Sequence, residues 1–267
     1  MRTLASIKRW WWAAWIASLA GAPADPPRTE APAPPPAPSP PPDAAPALPF
    51  PHPLITEVLF AVPTGPDGDA NKDGTRQVAG DEFIEIVNPH ARPINLAGYT
   101  LTDGAPNPKS QLRFTFPNIH LPPHAVVVVF NGHDSKIPGP VGDARKAPAS
   151  TNERFAKAAV FTMRTPSSRI SFSNAGDAAC LLSPDRKPLQ RIRWGKADEK
   201  AGGVGFLLDE LAPTTSKSSV QRDTTAKDGL WKLHTDLDAT PFDPGAFPFA
   251  TPPDARPADQ PAERAKR

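Results

Sequence analysis

The stretch Asp81–Pro89, with the sequence DEFIEIVNP, restricts the fold of this chain more than any other segment. Phenylalanine, isoleucine and valine favour the extended backbone of a strand, and the pair Asn88–Pro89 is a typical strand ending. Alternate side chains point to opposite faces of a strand, and within Phe83–Val87 both faces are mostly apolar, with Glu85 as the charged exception. The sequence therefore predicts an inner strand of a buried sheet.

Eight other segments have the composition of strands, and glycine, proline, asparagine and aspartate lie between them. Val126–Phe130 is apolar on both faces, so it is also expected inside a sheet. In the first segment, Val58 is expected on one face and Ile55 and Glu57 on the other. Short strands joined by turns predict an all-β sandwich. The predicted strands are 54–60, 94–102, 111–116, 125–130, 169–172, 178–182, 189–194 and 218–223.

Two stretches interrupt this pattern as loop insertions. Residues 131–151 have no periodicity and are expected to form a surface loop, whereas 152–163 has apolar residues near helical spacing and predicts one short helix. In the second insertion, 201–213, the glycines argue against a long helix, and 205–211 is expected to pack as one turn. Trp231 is expected to close the bottom of the core.

Six segments occur in a characteristic order: LITEVLF (54–60), DEFIEIVNP (81–89), INLAGYTLTDG (94–104), RFTFPNIHLPPHAVVVVF (113–130), SNAGDAACLLSPDRKPLQRIRWG (173–195) and SVQRD with GLW and TPFDPG (219–245). Together they resemble the lamin-tail domain family, in particular its bacterial secreted branch. The resemblance implies an immunoglobulin-like β-sandwich over residues 53–246 without a known catalytic centre.

Residues 1–20 have the layout of a secretory signal peptide: a basic start, a short apolar run over 10–20, and small residues. The apolar run is too short for a membrane span, which needs about 20 residues. Cleavage is expected after Ala20, which places the protein in the periplasm, on the cell surface or outside the cell. The alternative is an uncleaved N-terminal anchor with its tryptophans at the headgroup level.

Proline dominates residues 21–52, and the chain as a whole has 38 prolines. Such a segment cannot bury a core and predicts a disordered, extended polyproline-II linker, with docking on an aromatic groove as the alternative. Residues 247–267 are polar and rich in proline and predict a disordered tail. The predicted domain is therefore a sandwich held between two disordered segments.

Charge and cysteine content exclude several classes of function. The formal net charge of +2 is too small to indicate a nucleic-acid or membrane partner, and one cysteine cannot build a disulfide framework or a multi-cysteine zinc site. Cys180 lies in an apolar run and is predicted to be a core residue rather than a reactive thiol. Arg191 and Arg193 share a strand face, which we interpret as a solvated face and not as a nucleic-acid surface.

An acidic loop before the central strand is the best candidate site. Its D-x-N-x-D-G pattern over 69–74 places short oxygen-bearing side chains at alternate positions, as in the first half of a calcium loop. The twelfth position, where a bidentate glutamate is expected, is Gly80, and the nearest acids follow it. Without a metal the loop is an ordinary turn. The predicted ligands of a tentative calcium ion are Asp69, Asn71, Asp73, Thr75 (through its carbonyl), Asp81 and Glu82.

No other motif indicates catalysis, since hydrolase and phosphate-binding signatures are absent from the sequence. Glu85 is expected to be buried and to accept backbone N–H bonds. The neighbouring histidines, His120, His124 and His133, are interpreted as solvated turn residues, with metal binding as the alternative. A deep pocket ringed by Glu85, His124 and Asp134 would indicate a hydrolase with an unrecognised site.

These features predict an exported, non-enzymatic β-sandwich with a binding or structural role at the cell envelope or outside the cell. The alternative is an accessory domain of a surface hydrolase system that binds a substrate or an enzyme partner. In either case the expected partner is a protein or cell-envelope component. Membrane contact is expected only through an uncleaved N-terminal segment.

Overall fold

A computed structural model describes residues 48–104, 111–197, 205–215, 217–224 and 230–249. In these ranges the regular elements are strands and three short 3₁₀ turns, Pro66–Gly68, Glu153–Phe155 and His234–Asp236. The strands are β1 (Leu54–Leu59), β2 (Phe83–Val87), β3 (Ile94–Asn95), β4 (Thr100–Asp103), β5 (Arg113–Thr115), β6 (His120–Leu121), β7 (Val126–Phe130), β8 (Ala159–Thr162), β9 (Gly176–Leu182), β10 (Pro188–Gly195), β11 (Leu208–Leu211), β12 (Val220–Arg222) and β13 (Trp231–Leu233).

Two sheets form the sandwich. The larger has the strand order β13-β12-β1-β2-β7-β8, the smaller has the order β11-β10-β9-β4-β5, and β3 pairs with β6 separately. Most pairs are antiparallel, and β8 and β11 are each added in parallel at a sheet edge. The central strand β2 lies between β1 and β7, which confirms the inner position predicted from its two apolar faces.

The main core fills the space between the two sheets. Ile84, Ile86, Val127 and Leu181, whose burial the alternation predicts, are all fully buried there. Aromatic rings connect the sheets, and the Phe60 ring stacks on Trp194 with its centroid 4.1 Å away. Because the interior of a sandwich is close-packed, these contacts fix the spacing of the two sheets.

A bulge in β1 corrects the predicted facing of its side chains. The register against β2 shifts between Ile55 and Glu57, so Ile55 joins Val58 in the main core although strict alternation separates them. The extra residue, Thr56, makes room for this change. Glu57 stays on the opposite, outer face, directly across from Glu85.

A second cluster of buried apolar residues covers that outer face of the larger sheet. Phe83, Val128 and Phe130 project from β2 and β7 and contact residues of the long loops, including Phe155. The larger sheet is therefore buried on both faces. Its outer layer consists of loops instead of another sheet.

The helix predicted over 152–163 is wrong. The segment forms the 3₁₀ turn Glu153–Phe155 and then β8, and left-handed φ angles at Ala156 and Lys157 separate the two. The apolar residues of Ala159–Thr162 fit the period of a strand as well as that of a helix. Pairing with β7 decides between them, because both faces of β8 become buried.

Three other predicted elements also differ from the structure. Residues 169–172 form a turn and not a strand, because the Phe172 amide donates to the Glu82 carboxylate. The turn expected within 205–211 contains β11, which pairs with β10. The strand predicted over 218–223 is not the last one, since β13 follows it and buries Trp231 in the core.

The packed region is wider than the predicted boundaries of 53 and 246. Leu48 is buried in the main core, and the His52 ring lies 2.8 Å from the Tyr99 hydroxyl. At the other end, Phe247 and Phe249 pack against the core. Residues 48–52 and 247–249 thus belong to the sandwich, while the predicted signal segment, the rest of the linker and the rest of the tail lie outside the described residues.

The main core gives a stability prediction. Leu181→Ala is expected to lower the free energy of unfolding by about 2–5 kcal/mol, because it removes a fully buried side chain and leaves a cavity. The matched control is Leu211→Ala, at a side chain that is 63% exposed, with an expected effect within about 0.5 kcal/mol. Chemical denaturation measures both, and equal losses would contradict the assigned core.

Candidate functional site

The predicted calcium loop is closed by its own side chains. The two Asp69 carboxylate oxygens accept backbone N–H bonds from Asp73 at 3.1 Å and from Gly74 at 2.9 Å. The Asn71 side-chain oxygen also accepts from the Asp73 amide, at 3.0 Å. Asp73 in turn accepts from the amides of Thr75 and Lys136. These bonds wind the chain around one point, as the alternating oxygen pattern requires.

Asp81 connects this loop to the start of β2. Its two carboxylate oxygens accept the Asn71 amide at 2.9 Å and the Gln77 amide at 2.6 Å. Burial raises the pKa of Asp81 to about 6, and the nearby charges of Asp69 and Asp73 add to this effect. None of these contacts of the Asp81 carboxylate comes from a positively charged group.

Glu82 does not join the other five predicted ligands. Its carboxylate accepts from the Asn131 side chain at 3.0 Å and from the Phe172 amide at 3.2 Å. It therefore fixes the loops that follow β7 and β8. Burial raises the pKa of Glu82 well above its usual range. The calcium ion itself stays a prediction, with Asp69, Asn71, Asp73, Thr75 and Asp81 in the loop.

Glu85 has the environment that its strand position predicts. It is fully buried, and its carboxylate accepts from the Thr56 hydroxyl and from the Gly245 amide, both at 2.8 Å. Burial raises the pKa of Glu85 to about 8, and the nearby Asp243 adds to this. The acceptance of a backbone N–H bond is confirmed.

The sequence did not indicate that other ionisable groups join Glu85. Glu57 faces it across the strand pair, and His234 and Asp243 approach from the segment after β13. Among the described residues, ligand atoms of Glu57, His234 and Asp243 are the one group of three that lies within 4.8 Å of one another. One feature of the sequence could have indicated the cluster, namely a second glutamate, Glu57, within an apolar strand. His234 is so distant in sequence that no local pattern connects it to Glu57.

His124 precedes β7 and His133 follows it, so these histidines lie at opposite ends of that strand and do not form a catalytic pocket with Glu85. The His124 ring packs against Phe249, with centroids 4.9 Å apart, on the exposed end of the sandwich. Asp134 lies beside His133 and its side chain is 81% exposed. The arrangement that would indicate a hydrolase is therefore wrong for these residues.

The pair Arg191 and Arg193 shares one strand face, as predicted, but it is not a free basic stripe. Asp209 from β11 lies between the two guanidinium groups, with Nε–Oδ1 distances of 3.0 and 2.9 Å. The Arg191 side chain is buried and lies over the Phe206 ring. The Asp209 carboxylate thus offsets one of the two positive charges, and the burial of Arg191 corrects the interpretation of this face as solvated.

Cys180 is a core residue and not a reactive thiol. It is buried, and burial raises its pKa to about 12, as expected for a core cysteine.

Three surface pockets have volumes of about 230, 250 and 270 Å³, below the roughly 300–1,000 Å³ of typical small-molecule sites. In the described part of the chain, none of the helical segments has the length and apolar character to span a bilayer.

The sequence model of the lamin tail domain matches residues 55–196, slightly more than half of the 267-residue chain. The chain belongs to the lamin tail domain family. The matched region runs from β1 to the residue after β10 and includes the acidic loop and the central strand. Lamin tail domains are immunoglobulin-like and generally non-enzymatic. A search of curated proteins found no match.

The lamin tail match ends before the segments that complete the larger sheet. β12, β13 and the stretch that carries His234 and Asp243 all follow residue 196. These segments nevertheless pair with β1 and cover its outer face. The folded unit therefore extends beyond the family match.

Asp81→Ala is expected to destabilise the protein even in the presence of chelator. The change removes the acceptor of two backbone N–H groups, at a cost of roughly 1–3 kcal/mol. The matched control is Asp67→Ala, which changes an exposed aspartate of the same connection. Denaturation at neutral pH with chelator measures both. Unchanged stability of Asp81→Ala would show that the loop is not held by this carboxylate.

Proposed function

We propose that this lamin tail domain protein is an exported, non-enzymatic module with a binding or structural role at the cell envelope or outside the cell. The observation that carries the proposal is the family match on an all-β sandwich. Both faces of the larger sheet are covered by the chain itself, so the domain is a self-contained scaffold. The basic, apolar and small-residue pattern of the first 20 residues supports export.

A protein or an envelope component is the partner class that the surface supports. The three pockets described above are small, which favours contact over an extended face instead of capture of a small molecule. On the outer face of the smaller sheet, Arg113 and Thr115 are exposed polar side chains of an edge strand. At the opposite edge of the same face, Asp209 binds both Arg191 and Arg193 and offsets part of their charge, which argues against a nucleic-acid partner.

Export and retention at the envelope are tested on the full chain expressed in a bacterial host. The mature protein is expected outside the cytoplasm, with its N-terminus at or near the residue after Ala20 and Trp10–Trp12 removed. Mass spectrometry of fractionated cells gives the terminus, and crosslinking before extraction identifies what the protein contacts. Full-length protein in the cytoplasm would reverse the localisation. Mature protein that crosslinks to no envelope protein or wall fragment would remove the binding role.

Calcium stabilisation of the acidic loop is part of the same proposal. The connection between β1 and β2 is long, since most connections in compact domains have about 4–6 residues. A bound ion at its centre would stabilise one conformation of this loop. Asp69, Asp73 and Asp81 lie close enough that their negative charges disfavour one another. A hard divalent cation would reverse that effect, with Asn71 and the Thr75 carbonyl as neutral oxygen donors.

Thermal unfolding of the full chain tests the calcium site. Millimolar calcium is expected to raise the melting temperature relative to chelator, since a ligand that binds only the folded state stabilises it; the expected dissociation constant is on the order of 10⁻⁴–10⁻³ M. Asp69→Ala and Asp73→Ala should abolish the difference, and Asp67→Ala should retain it. Identical melting of the unmodified protein in both conditions would reduce the loop to a turn.

A further inference from the structure

A cluster of ionisable side chains lies on the outer face of the larger sheet, away from the acidic loop. Glu57 on β1 and Glu85 on β2 are directly opposite each other, and both are fully buried. The stretch after β13 covers them with His234, which is 1% exposed, and with Asp243. Three carboxylates and one imidazole thus share a space from which most water is excluded.

Three of these groups have the proximity of metal ligands. A Glu57 oxygen, a His234 ring nitrogen and an Asp243 oxygen all lie within 4.8 Å of one another. The shortest of these separations joins His234 Nε2 to Asp243 Oδ1, at 2.7 Å. The Gln221 side chain also donates to Asp243 Oδ1, at 3.3 Å, and holds that carboxylate in place.

Glu57 supplies a second, independent observation. The Glu57 carboxylate accepts from the Ser219 hydroxyl through Oε1, and the Asp243 backbone N–H also stabilises it. Its other oxygen, Oε2, is buried and has no hydrogen-bond partner of normal geometry among the described residues. A buried carboxylate oxygen without a partner is costly, since nothing replaces the water it lost. A cation bound beside Oε2 would supply the partner that this oxygen lacks.

The orientation of His234 identifies the kind of cation. Its Nδ1–H donates to the Thr240 carbonyl at 2.8 Å, which leaves Nε2 directed at Asp243. Metal-binding histidines characteristically donate their other ring N–H to a carbonyl or carboxylate in this way. The 2.7 Å separation of Nε2 and the Asp243 oxygen is that of a direct hydrogen bond, in which Nε2–H donates to the carboxylate. A metal ion would replace this proton and would move the two ligand atoms apart, to about 3.3 Å in a tetrahedral site.

We propose that Glu57, His234 and Asp243 bind a divalent first-row transition metal ion. One imidazole with two carboxylates suits zinc and its neighbours, whereas calcium prefers an all-oxygen site. The Asp243 side chain is 31% exposed, which gives the ion a path from solvent. A proton shared by His234 and Asp243 is the competing occupant, and the experiment distinguishes the two.

The site would have a structural role. Its ligands come from β1 and from the stretch after β13, so the ion would connect the first strand of the sandwich to its last segment. Two of the three ligands lie beyond the region that the family match covers, residues 55–196. The inference is therefore independent of the proposed binding role and of the acidic loop.

The test uses the purified full chain, stripped with chelator and then titrated with zinc chloride alone. One equivalent of zinc is expected to remain after desalting. At zinc concentrations about 100 times the dissociation constant, the melting temperature should rise by roughly 5 °C or more over chelator. His234→Gln and Asp243→Asn should each weaken binding at least about ten-fold. The matched controls His120→Gln and Asp236→Asn change an exposed histidine and an exposed aspartate and should keep wild-type affinity.

Zinc that stays bound with unchanged affinity in a folded His234→Gln variant would overturn the site, as would the absence of stoichiometric zinc and of any melting shift in the unmodified protein. The second result would assign the position to a proton. If the variants do not fold, X-ray absorption at the zinc edge of the unmodified protein decides. One imidazole with oxygen ligands supports the site, and two or more imidazoles or any sulfur contradicts it. Asp69→Ala with Asp73→Ala should leave zinc binding intact, which separates this site from the acidic loop.

Discussion

Burial of both faces of the larger sheet is the constraint on which the rest of the structure depends. Its inner face packs on the smaller sheet, whereas the described residues that cover its outer face belong to loops. The chain solves this with loops, which must bring their own apolar groups, such as Phe155, and satisfy the polar groups they cover. The long connections are therefore structural parts of the domain, and Glu57 and Glu85 are buried because of them.

Strands were predicted correctly from the sequence where the pattern of apolar residues fits only one kind of secondary structure. β2 and β7 are apolar on both faces, so they could only be inner strands. The segment containing β8 fits two periods equally well, and only its pairing with β7 decides between helix and strand. The bulge in β1 was equally hidden, because no local signal marks Thr56 as an extra residue. Alternation predicts which face of a sheet each side chain lies on, but one inserted residue reverses that prediction for the residues on one side of it.

The two candidate sites also differ in how far the sequence alone could predict them. The acidic loop is local in sequence, so its spacing was enough to predict a tight turn, in which oxygens of Asp69 and Asn71 both accept from the Asp73 amide. Glu82 separates from them because it directly precedes β2, where the extended backbone turns successive side chains in opposite directions. The second cluster joins Glu57 to His234 across almost the whole domain, and only the tertiary fold shows that they meet.

The pairing of β1 with β12 also constrains the order in which the domain can form. Among the described strands, β1 is the first in the chain and β12 the last but one, so much of the larger sheet depends on contacts between distant parts of the chain. Such a topology folds slowly, because a long loop must close before the contact forms. Before β12 pairs with it, β1 is an unpaired edge of the sheet, and its Glu57 carboxylate is not yet covered. Unpaired sheet edges can pair with strands of other chains. A chaperone that shields β1 during synthesis would act at the point where this domain is most exposed to misassembly.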